Sequence, residues 1–223
     1  MQMHRLAAVL VCVASFGPGG IGQFASAAGL GLDFANAIDR FPVADSNYGW
    51  SFTVTSPIII DGLGLWDTGS NGLLESHDVG LWLTSTPIPE GVLVASASVS
   101  NAAGVPVSSM STSGRWLFSS VSAVTLNPGT YIVGAVYHAG PTTQFDSLES
   151  DAFTLVTAPG VQYGTPREIH NTPNLAMPTM IGLNEHQGFF GPNFRVVVPE
   201  PGSSCGLLLT PLLLLSRRGR ASN

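Results

Sequence analysis

Tyr48-Gly49-Trp50-Ser51-Phe52-Thr53-Val54-Thr55 is the stretch that decides the fold. Large apolar side chains stand at 48, 50, 52 and 54, and small or polar ones stand between them. A period of two puts the first set on one face of an extended strand and the second on the other. Aromatic and β-branched residues suit such a pleated, half-buried surface. Ser56-Pro57 ends the run, because proline has no N–H to give to a ladder. The same grammar continues outward. Strands are predicted at 58–66, 78–84, 93–99, 115–121, 131–138, 152–156 and 194–198, about eight in all. Asn127-Pro128-Gly129-Thr130 reads as a type II turn. Residues 157–192 read as a long Pro/Gly-rich segment, functional or loosely ordered. No stretch shows a capped 3.6-residue period. The expectation is an all-β, antiparallel two-sheet sandwich, jelly-roll-like, over residues 45–198, with 28–44 as a lead-in.

Both ends of the chain read as targeting segments. Met1 to Arg5 is a short basic region, Leu6 to Phe16 is apolar, and Ala25-Ser26-Ala27 offers small residues for cleavage. This is the order of a secretory signal peptide, cut after Ala27. Gly17-Pro18-Gly19-Gly20-Ile21-Gly22 matches a dinucleotide-binding glycine pattern. Pro18 and the signal-peptide context argue against the helix which that motif requires. At the other end, Pro199-Glu200-Pro201 leads into an apolar run at 205–215, then Arg217-Arg218. The run would span roughly 16 Å as a helix, against a bilayer core of about 30 Å. Pro211 interrupts it. It is built to enter a membrane transiently rather than to remain as a span, with the arginines on the cytoplasmic side.

Pro199, Glu200, Pro201, the Leu-rich run, Arg217 and Arg218 together resemble the PEP-CTERM sorting tail of bacterial exported proteins. The resemblance covers 199–223. It implies an exosortase-type processing protease as partner and a destination in the cell envelope, cell surface or extracellular matrix. The blocks Gly49 to Val54, Leu63-Gly64-Leu65-Trp66-Asp67, Ser76 to Trp82, Leu126 to Tyr131 and Phe190-Gly191-Pro192-Asn193-Phe194 resemble an uncharacterised β-sandwich domain of secreted bacterial proteins. That resemblance implies an extracellular role and carries no catalytic residue.

Composition narrows the function classes. All 8 basic residues are arginines. Four of them, Arg5, Arg217, Arg218 and Arg220, fall in the targeting segments. The stretch 28–199 keeps four arginines against thirteen acidic residues, a formal charge of about −9, which repels a phosphate backbone and argues against nucleic-acid binding. Cys12 and Cys205 both lie in the targeting segments, so an internal disulfide or thiolate metal site is not expected.

Candidate sites are few. Asp67, Asn71, Glu75 and Asp78 supply oxygens around a Gly-rich loop and are candidate calcium ligands; a hairpin rich in turn formers explains the same residues. Trp82 and Trp116 are candidate glycan-stacking residues, which would make a polysaccharide the partner. An adhesion module predicts them exposed together in one groove; a structural role predicts them buried or scattered. There is no H-E-x-x-H and no G-x-S-x-G. The domain histidines His77, His138, His170 and His186 read as solvated loop residues. No cofactor and no enzymatic activity are expected. A cryptic hydrolase, the remaining alternative, predicts a cleft with titratable groups drawn from 157–192.

Overall fold

The alternating run at 48–54 forms the middle of a six-stranded antiparallel sheet. This computed structural model describes residues 29–84, 90–138, 146–152, 154–182 and 188–198. The sheet runs β14 (Met180–Ile181), β13 (Val161–Ile169), β4 (Ser46–Val54), β10 (Gly129–Tyr137), β6 (His77–Thr84) and β7 (Gly91–Val99). A five-stranded sheet runs β1 (Gly29–Leu30), β15 (Pro192–Val196), β5 (Ile58–Thr68), β9 (Gly114–Leu126) and β8 (Val105–Val107). Two ribbons complete the molecule. In one, β2 (Leu32–Ala35) pairs with β12 (Thr154–Thr157); in the other, β3 (Ile38–Arg40) pairs with β11 (Leu148–Ser150). Every pairing is antiparallel, and the fold is an all-β sandwich.

The inward side of the six-stranded sheet is the one read from sequence. Tyr48, Trp50, Phe52 and Val54 are buried, and Tyr131, Val133, Ala135 and Tyr137 join them from β10. Across the gap, Phe194 stacks on Phe52 at 4.6 Å and on Trp50 at 5.7 Å. Such offset aromatic pairs add to the burial of apolar area. On β5 the alternation gives Leu63 and Leu65 to one face. Trp66 goes to the other, where it meets Trp116 at 5.0 Å. Phe34 of β2 closes over both tryptophans, at 4.7 and 5.6 Å.

Three expectations are corrected here. The lead-in 28–44 belongs to the same body, because β1 extends the five-stranded sheet and Leu32 and Phe34 are fully buried. The segment 157–192 contains β13, a nine-residue strand whose pairing with β4 tolerates Pro166 through a register shift between Tyr163 and Pro166. Gly129 is the first residue of β10 and does not adopt the left-handed backbone that a type II turn requires.

The outer face of the six-stranded sheet is also covered. Gly49, Gly134 and Gly80 lie side by side across β4, β10 and β6. The indole of Trp82 lies on this glycine floor, so close that a Cβ on Gly80 would come within 2.4 Å of it. Residues 170–179 cross above. Pro178 packs over Gly134, and the buried Asn47 side chain bonds Thr172 O, Asn174 O and Ala176 N at 3.0–3.1 Å.

Candidate functional site

A recess opens where the chain between β3 and β4 meets the end of β13. It is a cleft of about 250 Å³, lined by Arg40, Phe41, Tyr48, Glu168, His170 and Phe189 among others. Each polar group is held in place. Arg40 donates to Ser150 Oγ at 2.8 Å and pairs with Asp151 at 3.2 Å. His170 Nδ1 lies 3.1 Å from Ser46 Oγ, and its Nε2 lies 3.4 Å from Glu168 Oε2. The Val43 N–H donates to the Tyr48 hydroxyl at 3.0 Å. Burial, and then the Glu168 charge, push the Tyr48 phenol up from its ordinary value, so it stays neutral at physiological pH. Asp45 and Asn171 flank the cleft with φ of 51° and 56°, a left-handed backbone that Asp and Asn tolerate better than most side chains. The Thr172 N–H donates to Asp45 O at 2.6 Å and ties the two loops together.

Ser46, His170 and Glu168 are in contact in the order of a nucleophile relay. The geometry does not suit acyl transfer, because Ser46 is completely buried and its Oγ also donates to Ala44 O at 3.2 Å. A substrate carbonyl has no approach to it. The titratable pair drawn from 157–192 does sit in a cleft, as the hydrolase reading expects, but that cleft is assembled without a reachable serine.

The calcium expectation is corrected by the chemistry of Asp67. Its Oδ2 lies 2.8 Å from Arg115 Nε, and its Oδ1 accepts the Gly72 N–H at 2.9 Å. A buried carboxylate that holds a cationic side chain and closes its own turn is committed to those partners. Asn71 is exposed, Glu75 is half-buried, and Asp78 lies exposed on β6 in the other sheet. Among the described residues no group of three His, Cys, Asp or Glu is arranged to hold a metal ion. The residues do not fit calcium.

The glycan-stacking expectation for Trp82 and Trp116 is corrected too. Trp116 is completely buried and donates Nε1–H to Asp33 at 3.3 Å. Trp82 is 6 % exposed, beneath the 170–179 segment. They belong to different sheets, and neither offers a ring face to solvent. Gly80, two residues before Trp82 on the same strand face, makes room for the indole itself.

His77 is likewise not a solvated loop residue. It is 1 % exposed, with Nδ1 2.9 Å from the Val136 carbonyl and Nε2 2.8 Å from Asp146 Oδ2. A carbonyl only accepts, so Nδ1 carries hydrogen toward Val136. Asp146 also accepts the Leu74 and Glu75 N–H groups, so this cluster staples the β5–β6 loop. Glu149 is 1 % exposed. Its Oε1 accepts from Trp66 Nε1 at 3.1 Å and Ser113 Oγ at 3.0 Å, while Oε2 has no hydrogen-bond partner among the described residues.

Phe41 and Tyr48 escaped notice as site residues. Phe41 lies in a stretch read as a lead-in, and Tyr48 fits the core alternation; nothing local signals that the two meet. Ala25, Ala27, Pro199, Glu200, Pro201, Arg217, Arg218 and His186 lie outside the described residues. No described helix is long and apolar enough to cross a membrane. In comparisons with known proteins, no family model, curated sequence or solved structure matches this chain.

Proposed function

We propose that this is an exported protein of the cell envelope or extracellular matrix, sorted by its C-terminal tail, with a structural or surface role and no catalysis. The observation that carries the proposal is the order of parts at 199–223: a Pro-Glu-Pro turn, a short apolar run broken by proline, and a pair of arginines. Secretion removes residues 1–27. The apolar run enters the membrane, and a membrane protease of the exosortase type acts near Pro199-Glu200-Pro201. The sandwich then stays at the surface or in matrix material such as a biofilm.

The fold supports this reading in one respect. β1 pairs with β15, with Gly29 opposite Val196. The two processing points lie within three residues of that pair along the chain. Both ends of the described domain therefore lie at one edge of one sheet. Intact mass spectrometry of the protein from its native host, with fractionation, tests the proposal. The expected product begins at Ala28, lacks the Leu-rich run and partitions with envelope or medium. A cytosolic product that keeps 205–223 overturns it.

A further inference from the structure

We propose that the cleft between Phe41, Tyr48 and Glu168 binds a single neutral pyranose unit of a glycan; this deepens, and rests on, the surface role proposed above. The argument runs by charge, then polarity, then size. An anionic ligand meets Glu168 in a domain whose acidic residues outnumber its arginines thirteen to four. Arg40, the cation on the rim, already shares its charge with Asp151. A cation finds one carboxylate, Glu168, and that one is faced by His170. A wholly apolar ligand would strip water from Arg40, Glu168 and His170 without replacing their hydrogen bonds, which is costly.

A ligand with one apolar face and a hydroxyl rim remains. Phe41 is 72 % exposed, an unusual position for so large an apolar ring, and it stands beside these polar groups on the cleft wall. The C–H face of a pyranose is weakly positive and packs on the negative face of an aromatic ring. Its hydroxyls both donate and accept, so they can complement a carboxylate and a guanidinium at once. Because those groups are held by His170, Ser150 and Asp151, little ordering is lost on binding. At about 250 Å³ the cleft falls below the range of roughly 300–1,000 Å³ that takes drug-sized ligands, which suits one ring rather than a chain of them.

The test is saturation-transfer difference NMR on the full chain with glucose, galactose, mannose and N-acetylglucosamine. Binding of at least one of them, with a dissociation constant of about 1–10 mM, is expected for so open a site. Phe41→Ala should abolish the transfer while leaving the melting temperature within error, and Leu93→Ala, at an exposed apolar residue far along the chain, should retain it. No transfer from any of the sugars, or equal transfer to the Phe41→Ala protein, overturns the proposal. Mass spectrometry of the exported product reads targeting independently. A chain that is correctly exported but blind to these sugars fails here alone; a sugar-binding chain that stays in the cytosol fails the targeting reading alone.

Discussion

At the scale of the residue, Glu149 is the most exposed to test, because its environment opposes its charge. Burial pushes its carboxyl up from the ordinary 4.5, and the Asp39 charge adds to the effect; the Ser113 and Trp66 hydrogen bonds pull the other way and do not cancel it. Asp39 is its direct cross-strand partner in the β3–β11 ribbon, so ionisation would set two like charges side by side. A carboxyl whose folded-state pKa lies above its unfolded value binds its proton more tightly when folded. Its stabilising contribution is complete below about pH 4.5 and is lost as the pH rises through the folded-state value. Glu149→Gln keeps both acceptor bonds and removes the titration. Urea unfolding from pH 4.5 to 9 should show the parent weakening with pH relative to this variant. The gap at pH 8 should be about 1–3 kcal/mol, the range for a buried polar group left unmet. A constant gap across that range would mean that Glu149 does not titrate there. Sequence reading had no means to single out Glu149. Its burial comes from Trp66, 83 residues away, and from Phe190, which forms an isolated antiparallel bridge to it.

At the scale of the element, long alternating strands were legible and the pieces that cover them were not. The runs at 48–54, 78–84 and 131–137 carry their own period, so a local reading finds both the strand and its inward face. β2, β3, β11 and β12 are three or four residues long and are defined by their partners. Their existence depends on which sheet face needs a roof, and a short window of sequence does not contain that information. The glycine row shows the same limit. Gly49, Gly80 and Gly134 are separated by 31 and 54 positions, yet register sets them side by side. Gly49 and Gly134 then become intolerant for reasons invisible locally, Val133 and Pro178. A Cβ on Gly49 would lie 1.9 Å from the Val133 carbonyl oxygen, a backbone atom that cannot move aside, whereas a Cβ on Gly129 meets nothing closer than 3.4 Å. Gly49→Ala should therefore destabilise by about 1–3 kcal/mol, as overpacking does. Gly129→Ala should stay within about 0.5 kcal/mol of the parent. Chemical denaturation of the two variants side by side checks the contrast, and equal effects would show that the sheet relaxes around position 49.

At the scale of the whole molecule, the question is where the cooperative unit begins. Alternation alone suggested residue 45, with 28–44 as a lead-in. The packing argues otherwise. Phe34 lies against Trp66, Trp116 and Phe190, the last at 5.2 Å. Asn193, fully buried in β15, accepts from the Leu32 N–H at 3.2 Å and donates to the Leu32 carbonyl at 2.7 Å. Removing residues 28–44 would expose two tryptophans, cost Asn193 both of its bonds to Leu32 and strip β15 of its outer neighbour. Truncating a single buried Leu or Phe to Ala costs about 2–5 kcal/mol, and a domain's whole stability is about 5–15 kcal/mol. A chain beginning at residue 45 is thus expected to lose its near-UV circular dichroism and its sharp thermal transition. The milder Phe34→Ala should keep the fold and lower stability by about 3–5 kcal/mol. If the shortened chain instead melts at the parent's temperature, the two N-terminal ribbons are appendages and the sandwich stands without them. The first described strand pairs with the last, Gly29 opposite Val196, so that edge of the five-stranded sheet closes only once both ends of the domain are in place.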